Sequence, residues 1–190
     1  MAKILLDRLK AKFGDAVLET SSFRGDEVAR LTPEVWRDAA LFLRDDPACL
    51  CNYFVDLSAV DYPDREDEGG RFEVYCILSS ISKKHRIRIK VRVPGTPAEV
   101  DSLISVFGGA DWQERECFDM FGVIFRGHGD LRRILLYPEF EGHPLRKDYP
   151  AGKQQPLIPY RENTFDKLGP FLADEGMPLN RAPVPDSSES

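Results

Sequence analysis

Two periods of apolar residues alternate along residues 1–136. Leu5, Leu6, Leu9 and Phe13 share one helical face, and Gly14 can close that helix. Val17–Phe23 reads as a strand. Thr32-Pro33 then predicts a helix start, with the threonine hydroxyl as N-cap and proline at the first helical position. Val35, Ala39, Phe42 and Leu43 form the apolar face of that helix, and Pro47 blocks its continuation. Three strands follow. Residues 52–60 place Tyr53, Val55, Leu57 and Ala59 on one side, and residues 72–79 do the same with Phe72, Val74, Cys76 and Leu78. The acidic stretch between them predicts a hairpin with a long solvated loop. Residues 85–93 alternate Ile87, Ile89, Val91 and Val93 with Arg86, Arg88, Lys90 and Arg92. A slip of one residue would bury those four cations, so the register is firmly specified.

Beyond the third strand, Thr96 and Glu99 have capping-box spacing and Pro97 sits at a first helical position. Val100, Leu103, Ile104 and Phe107 then predict a helical core stripe that Gly108 ends. Asp111 and Glu114 have the same capping spacing and open a short helix through Phe121, closed by Gly122. Residues 123–125 predict a short strand. The order of elements points to an α+β domain, 1–136, with a mainly antiparallel sheet and helices packed on one face.

Residues 137–190 differ in kind. Nine of the fourteen prolines lie there, among apolar anchors such as Phe140, Leu145, Tyr149, Leu157 and Phe165. Burying each anchor contributes roughly 1.5–3 kcal/mol, whereas ordering the backbone costs about 1–2 kcal/mol per residue. The anchors alone do not order an isolated tail, but the prolines lower the ordering cost. The segment therefore suits an extended path over an existing surface, its own domain or another chain, and the last residues, DSSES, read as disordered.

Composition narrows the function classes. The 190 residues have a formal net charge of −6, which disfavours nucleic acid or anionic membrane as a general partner. No stretch reaches the roughly 18 apolar residues of a membrane-spanning helix, and the N-terminal segment is too charged for a secretory signal. The four cysteines form no disulfide framework, which favours a reducing cytoplasm. Membrane contact would thus come through a partner.

Candidate chemistry concentrates in residues 114–149. Glu114, Arg115, Glu116 and Asp119 share the short helix with Cys117, and Arg115 and Asp119 have i,i+4 pairing spacing. His128, Asp130, Arg132 and Arg133 follow, then His143, Arg146, Lys147 and Asp148 between Pro144 and Pro150 or beside them. Cys117 with a histidine, or paired carboxylates, would be the enzymatic reading. The flanking residues favour Cys117 as a small core residue and the charges as a network of oriented Arg–carboxylate pairs pinning loops to a neighbour. The cysteine and histidine spacings match no zinc or iron–sulfur motif, and no glycine-rich loop joins a strand to a helix. The basic strand face at Arg86–Arg92 admits either RNA contact or a solvated face matched to an acidic partner, and it lacks interleaved aromatics.

The same stretch resembles the C-subunit family of respiratory NADH:quinone oxidoreductase (complex I), the counterpart of the mitochondrial 30 kDa subunit. Its signature is met by Glu114, Arg115 and Glu116, the acid Asp119, the pair Met120 and Phe121, His128, Arg132, and the pair Ile134 and Leu135; Glu141–Pro150 is also similar. Where the family pattern has proline after the histidine, this chain has Gly129. The resemblance implies a stand-alone, cofactor-free member of the peripheral arm, without catalytic, cofactor-binding or metal residues of its own. It implies that FMN and iron–sulfur clusters sit in partner subunits and pass electrons from NADH to quinone. It implies docking, with an extended C-terminal tail, against the quinone-cavity subunit (the D subunit), on the cytoplasmic side of a bacterial inner membrane. The charged residues from Glu114 to Asp148 become the expected interface. An equivalent subunit of a membrane-bound hydrogenase or deazaflavin dehydrogenase complex is the nearest alternative. A free-standing binding module or a lone cysteine or carboxylate enzyme would be rivals of other classes.

Overall fold

The computed structural model describes residues 3–157. Helix α1, Lys3–Phe13, leads through a tight turn into strands β1, Val17–Phe23, and β2, Asp26–Leu31. Helix α2, Trp36–Asp45, precedes strands β3, Tyr53–Asp61, β4, Phe72–Ser80, and β5, His85–Val93. Strand β6, Glu99–Asp101, helix α3, Ala110–Phe121, and strand β7, Ile124–Arg126, complete the set. The main sheet has the order β1-β2-β5-β4-β3. Its pairings are antiparallel apart from β2–β5, which is parallel, so the sheet is mixed and the fold is α+β as expected.

The alternation along β5 explains the centre of this sheet. Ile87, Ile89, Val91 and Val93 are all fully buried, in register with Leu78, Cys76, Val74 and Phe72 of β4. Ala29 and Leu31 of β2 and Leu57 and Ala59 of β3 extend the same inner face. Leu5 and Leu9 of α1 and Trp36, Ala39 and Leu43 of α2 join them in one core cluster. Burial of these side chains, at roughly 1.5–3 kcal/mol each, sets the helices on that face.

Four local expectations are corrected. First, a strand, β2, lies where the sequence gives no clear signal, because Glu27 interrupts its apolar alternation; the carboxylate is nevertheless buried and accepts the Ser22 hydroxyl at 2.9 Å. The Arg24-Gly25 turn joins it to β1 with positive φ at both residues, as a tight hairpin requires. Second, residues 96–107 are not a helix. Ala98, Val100 and Ser102 are buried while Glu99 and Asp101 are half-exposed, a period of two, because Glu99–Asp101 pairs in parallel with β7. A strand partner distant in sequence here overrides local helix signals; Val100, Leu103 and Phe107 still reach the core. Third, neither side-chain cap forms. Thr32 accepts the Val35 N–H through its carbonyl rather than its hydroxyl, and α3 starts at Ala110 with no side-chain cap. Fourth, the short strand lies one residue later than expected.

The described residues up to Pro156 form one compact unit. Residues 137–156 fold back because Leu145 N–H donates to the Met120 carbonyl at 3.1 Å and Lys147 N–H to Asp61 Oδ2 at 2.7 Å. The expected tail beyond residue 157 lies outside the described residues.

Candidate functional site

Asp119 is the centre of the charged cluster. It faces inward from α3 and its side chain is fully buried. Its Oδ2 accepts the backbone N–H groups of Ile134, Leu135 and Leu136 at 3.1, 2.9 and 2.8 Å, and its Oδ1 accepts Arg133 Nη1 at 2.7 Å. A buried carboxylate is tolerated only when its lone pairs are taken in this way. Arg133 also donates through Nη2 to the Gly142 carbonyl at 2.9 Å, and His143 Nδ1 donates to the Asp119 carbonyl at 3.0 Å. One residue thus ties α3 to both the 133–136 loop and the 142–143 turn.

A second ionic group closes the far end of that segment. Asp61 ends the inward register of β3, where Leu57 and Ala59 precede it. It pairs with Arg71 through two hydrogen bonds of 2.7 and 2.8 Å. Arg71 reaches Asp148 at 2.9 Å, so hairpin and segment are clamped together. Arg146 lies between the two groups, its guanidinium 5.1 Å from the Phe72 ring centroid and its Nε donating to the Phe121 carbonyl. Gly122, at φ +77°, closes α3 beneath it and donates its N–H to the Phe118 carbonyl at 2.8 Å. A left-handed residue without a side chain is needed there: an added Cβ would collide with Arg146 Nη2 and lie 2.6 Å from His143 Nε2.

The remaining predicted residues divide between internal and outward roles. Glu114 is buried and accepts the Ser102 hydroxyl and the Leu103 N–H, both at 2.6 Å, which fixes the turn after β6 to α3. Burial raises its pKa against those hydrogen bonds. The His128 side chain is buried against Asp111 at 3.0 Å and accepts the Asp130 N–H through Nδ1. Arg115 does not pair with Asp119, contrary to the i,i+4 expectation, because Arg133 occupies that carboxylate. It donates instead to the Arg132 and Arg133 carbonyls at 3.2 and 3.4 Å. Glu116 is exposed, as are Asp130 and Arg132, which pair with each other at 3.0 Å. Lys147 uses its backbone for Asp61 and leaves its side chain exposed. Most of the cluster is therefore engaged within the chain. Sequence reasoning missed Asp61, Arg71 and Phe72; the available signal for Asp61 is its place at an inward position of an apolar strand.

This geometry orders backbone. Burial pushes Asp119 up, but the N–H donors of Leu136, Leu135 and Ile134 together with Arg133 outweigh it and hold the carboxyl below its usual range. Asp61 is likewise raised by burial and lowered further by Arg71 and the Lys147 N–H. Burial pushes the Cys117 thiol up, away from a nucleophilic thiolate, and lowers His143. A carboxylate depressed in the fold adds stability that is complete above its unfolded pKa, 3.8, and is lost as pH falls through the folded one. Glu114 acts in the opposite sense, its contribution fading as pH rises. Urea unfolding free energy is expected to drop as pH falls below about 4, and Asp119→Asn to flatten that drop. Equal slopes in the two proteins would count against the assignment.

Among the described residues, nothing covers the side of α3 next to this scaffold. Trp112 is 64% exposed and Leu135 62%, and both adjoin groups that the clamp holds still. Arg115 bridges them: its guanidinium lies 5.9 Å from the Trp112 ring centroid while it holds the carbonyls just before Leu135. Exposed large apolar groups on rigid backbone are the usual anchors of protein contacts.

Comparison with known proteins points to one family. Residues 29–155 match the family described as "Respiratory-chain NADH dehydrogenase, 30 Kd subunit". The NADH-quinone oxidoreductase C subunit of Roseiflexus sp. (strain RS-1) is 43% identical over 170 residues, covering 90% of this chain and 96% of that protein. The C 2 subunit of the same enzyme from Rhizobium etli (strain CIAT 652) is 38% identical over 93% of this chain and 92% of its own. Among solved structures, a trypsin-resistant fragment of Nqo5 superimposes with a TM-score of 0.57 at 25% identity, covering 68% of this chain and 98% of the fragment. A chain of an archaeal membrane-bound sulfane sulfur reductase shares the fold, with a TM-score of 0.65 at 19% identity over 99% of this chain and 98% of its own.

Proposed function

The chain belongs to the respiratory-chain NADH dehydrogenase 30 kDa subunit family, and from that premise we propose that its clamped α3 side docks on the quinone-cavity subunit of the complex. It is a non-catalytic peripheral component of an NADH-quinone oxidoreductase and works with the other subunits of that enzyme. The supporting observation is the pairing of exposed Trp112 and Leu135 with backbone that Asp119 and Arg115 make rigid. Preorganised anchors lose little conformational entropy on binding, so a modest patch can dock tightly. In this reading the chain holds no FMN, iron–sulfur cluster or quinone; partner subunits carry them and pass electrons from NADH to ubiquinone or a related quinone. Its own part is to fix their geometry during assembly. No helix of the described residues is long and apolar enough to cross a membrane. Attachment to the cytoplasmic face of the inner membrane would run through the complex.

Recovery of the tagged full chain from native membranes in mild detergent tests this. The quinone-cavity subunit, the iron–sulfur subunits and NADH-dependent quinone reduction should come with it. Hydrogen- or deazaflavin-dependent activity in their place would reassign it to a sister complex. Trp112→Glu is expected to cut recovery of the quinone-cavity subunit about tenfold or more, with the thermal midpoint of the purified chain unchanged. Recovery at the unsubstituted level would remove α3 from the interface.

A further inference from the structure

The outer face of the main sheet carries a row of cations in an otherwise acidic chain of net charge −6. Arg86, Arg88 and Lys90 point outward from β5, opposite to the buried Ile87 and Ile89. Two of them are neutralised by neighbouring strands. Arg86 makes a bidentate pair with Asp26 of β2, with contacts of 2.5–3.0 Å, and Lys90 pairs with Glu73 of β4 at 2.8 Å. Arg88, between them, differs. Its cross-strand neighbours are Val28 on β2 and Ile77 on β4, both apolar. Its guanidinium rests 5.2 Å from the Tyr75 ring centroid, and its Nε is buried and meets no acceptor among the described residues. Phe23, 71% exposed at the end of β1, forms the rim of the same cleft, with Val28, Ile77 and Arg88 as its floor and wall and the Asp26–Arg86 pair at its side.

A guanidinium that meets no carboxylate among the described residues, set beside apolar side chains, has a specific complement. Low local dielectric strengthens a carboxylate pair there, and the surrounding Phe, Val and Ile side chains take an apolar neighbour. A polyanion such as RNA would draw on the whole cation row, and Asp26 and Glu73 already answer Arg86 and Lys90. One unanswered charge, beside an ion pair already satisfied and three apolar side chains, fits one acidic side chain of a protein. We propose that this cleft receives an acidic segment of another subunit of the complex, an Asp or Glu pairing with Arg88 while an adjacent apolar side chain sits on Phe23, Val28 and Ile77. The inference rests on membership of the complex but not on the α3 contact, because it concerns the outer sheet face and a second partner segment.

The test uses the full tagged chain in its native membranes, with p-benzoylphenylalanine in place of Phe23. Irradiation of the recovered complex should attach a peptide of another subunit with an Asp or Glu within a few residues of the linked position. Adding Arg88→Gln should lower the yield about tenfold, and Lys90→Gln, which removes a cation already paired with Glu73 outside the cleft, less than about twofold. Arg88→Lys should retain most of the yield, separating lost charge from lost fold. A yield unchanged by Arg88→Gln would overturn the proposal, as would linkage to nucleic acid or to a second copy of this chain. Recovery of the complex without any crosslink overturns it alone; failure of the unsubstituted chain to recover any subunit overturns it together with the proposed function.

Discussion

Asp119→Ala is expected to destabilise the chain by about 3–5 kcal/mol, the range for removing one partner of a buried ion pair. Four donors converge on this carboxylate, and three of them are main-chain amides that have no side chain with which to adapt. Alanine leaves Arg133 half-enclosed without its anion and leaves the 134–136 amides to find water. The loss should therefore be local before it is global. Amide exchange at Ile134, Leu135 and Leu136 should accelerate far more than exchange in β4 and β5, and urea unfolding should give the total. Asp119→Asn keeps one acceptor oxygen and should lie between the two. A change below about 1 kcal/mol in the alanine variant, the scale of a single net hydrogen bond, would mean that the loop is held by something else.

The second large effect is at Gly122. Alanine there meets two costs that add. A left-handed conformation costs a non-glycine residue about 1–2 kcal/mol, and forcing an extra methyl into a packed site about 1–3 kcal/mol. The atoms in the way are side-chain ends, Arg146 Nη2 and His143 Nε2, which in a free side chain would swing aside. Here each is fastened: Arg146 to the Phe121 carbonyl and over Phe72, His143 to the Asp119 carbonyl. The expected total is about 2–5 kcal/mol by chemical denaturation, accompanied by faster trypsin cleavage after Arg146. Unchanged cleavage with a loss near about 1 kcal/mol would show that only the backbone cost operates.

Much of the fold is legible in the sequence because its signals are local. The β5 register follows from strict alternation, and the end of α3 from Gly122, whose φ of +77° is the conformation glycine permits. Helix and strand are hard to separate at 96–107 because Thr96, Pro97 and Glu99 carry helix-start chemistry, while the pairing that decides the matter comes from Ile124–Arg126. Strand β2 is masked by Glu27, an acid buried where alternation asks for an apolar residue. At the site, the residue types and their neighbourhood are legible, but the partners are not. Arg115 and Asp119 have the right spacing for each other, yet the carboxylate takes Arg133, a residue 14 positions on. Charge reversal at Arg146 or Arg115 reads from sequence as a clean probe of assembly. The structure makes both groups internal supports, so Trp112 is the better probe of the surface.

The manner in which Asp119 is satisfied bears on how this region can drift over generations. Its Oδ2 recognises amide N–H groups at 134–136, which every residue except proline supplies. The exposed Leu135 side chain is thereby released from the task of holding the loop, whereas Leu136 packs against the core. Position 135 can exchange under whatever a partner surface selects, while the acid at 119 keeps the path of the chain constant. Partner and loop can then co-vary at that contact without either lineage passing through an unfolded intermediate, and the substitution that position 135 forbids outright is proline.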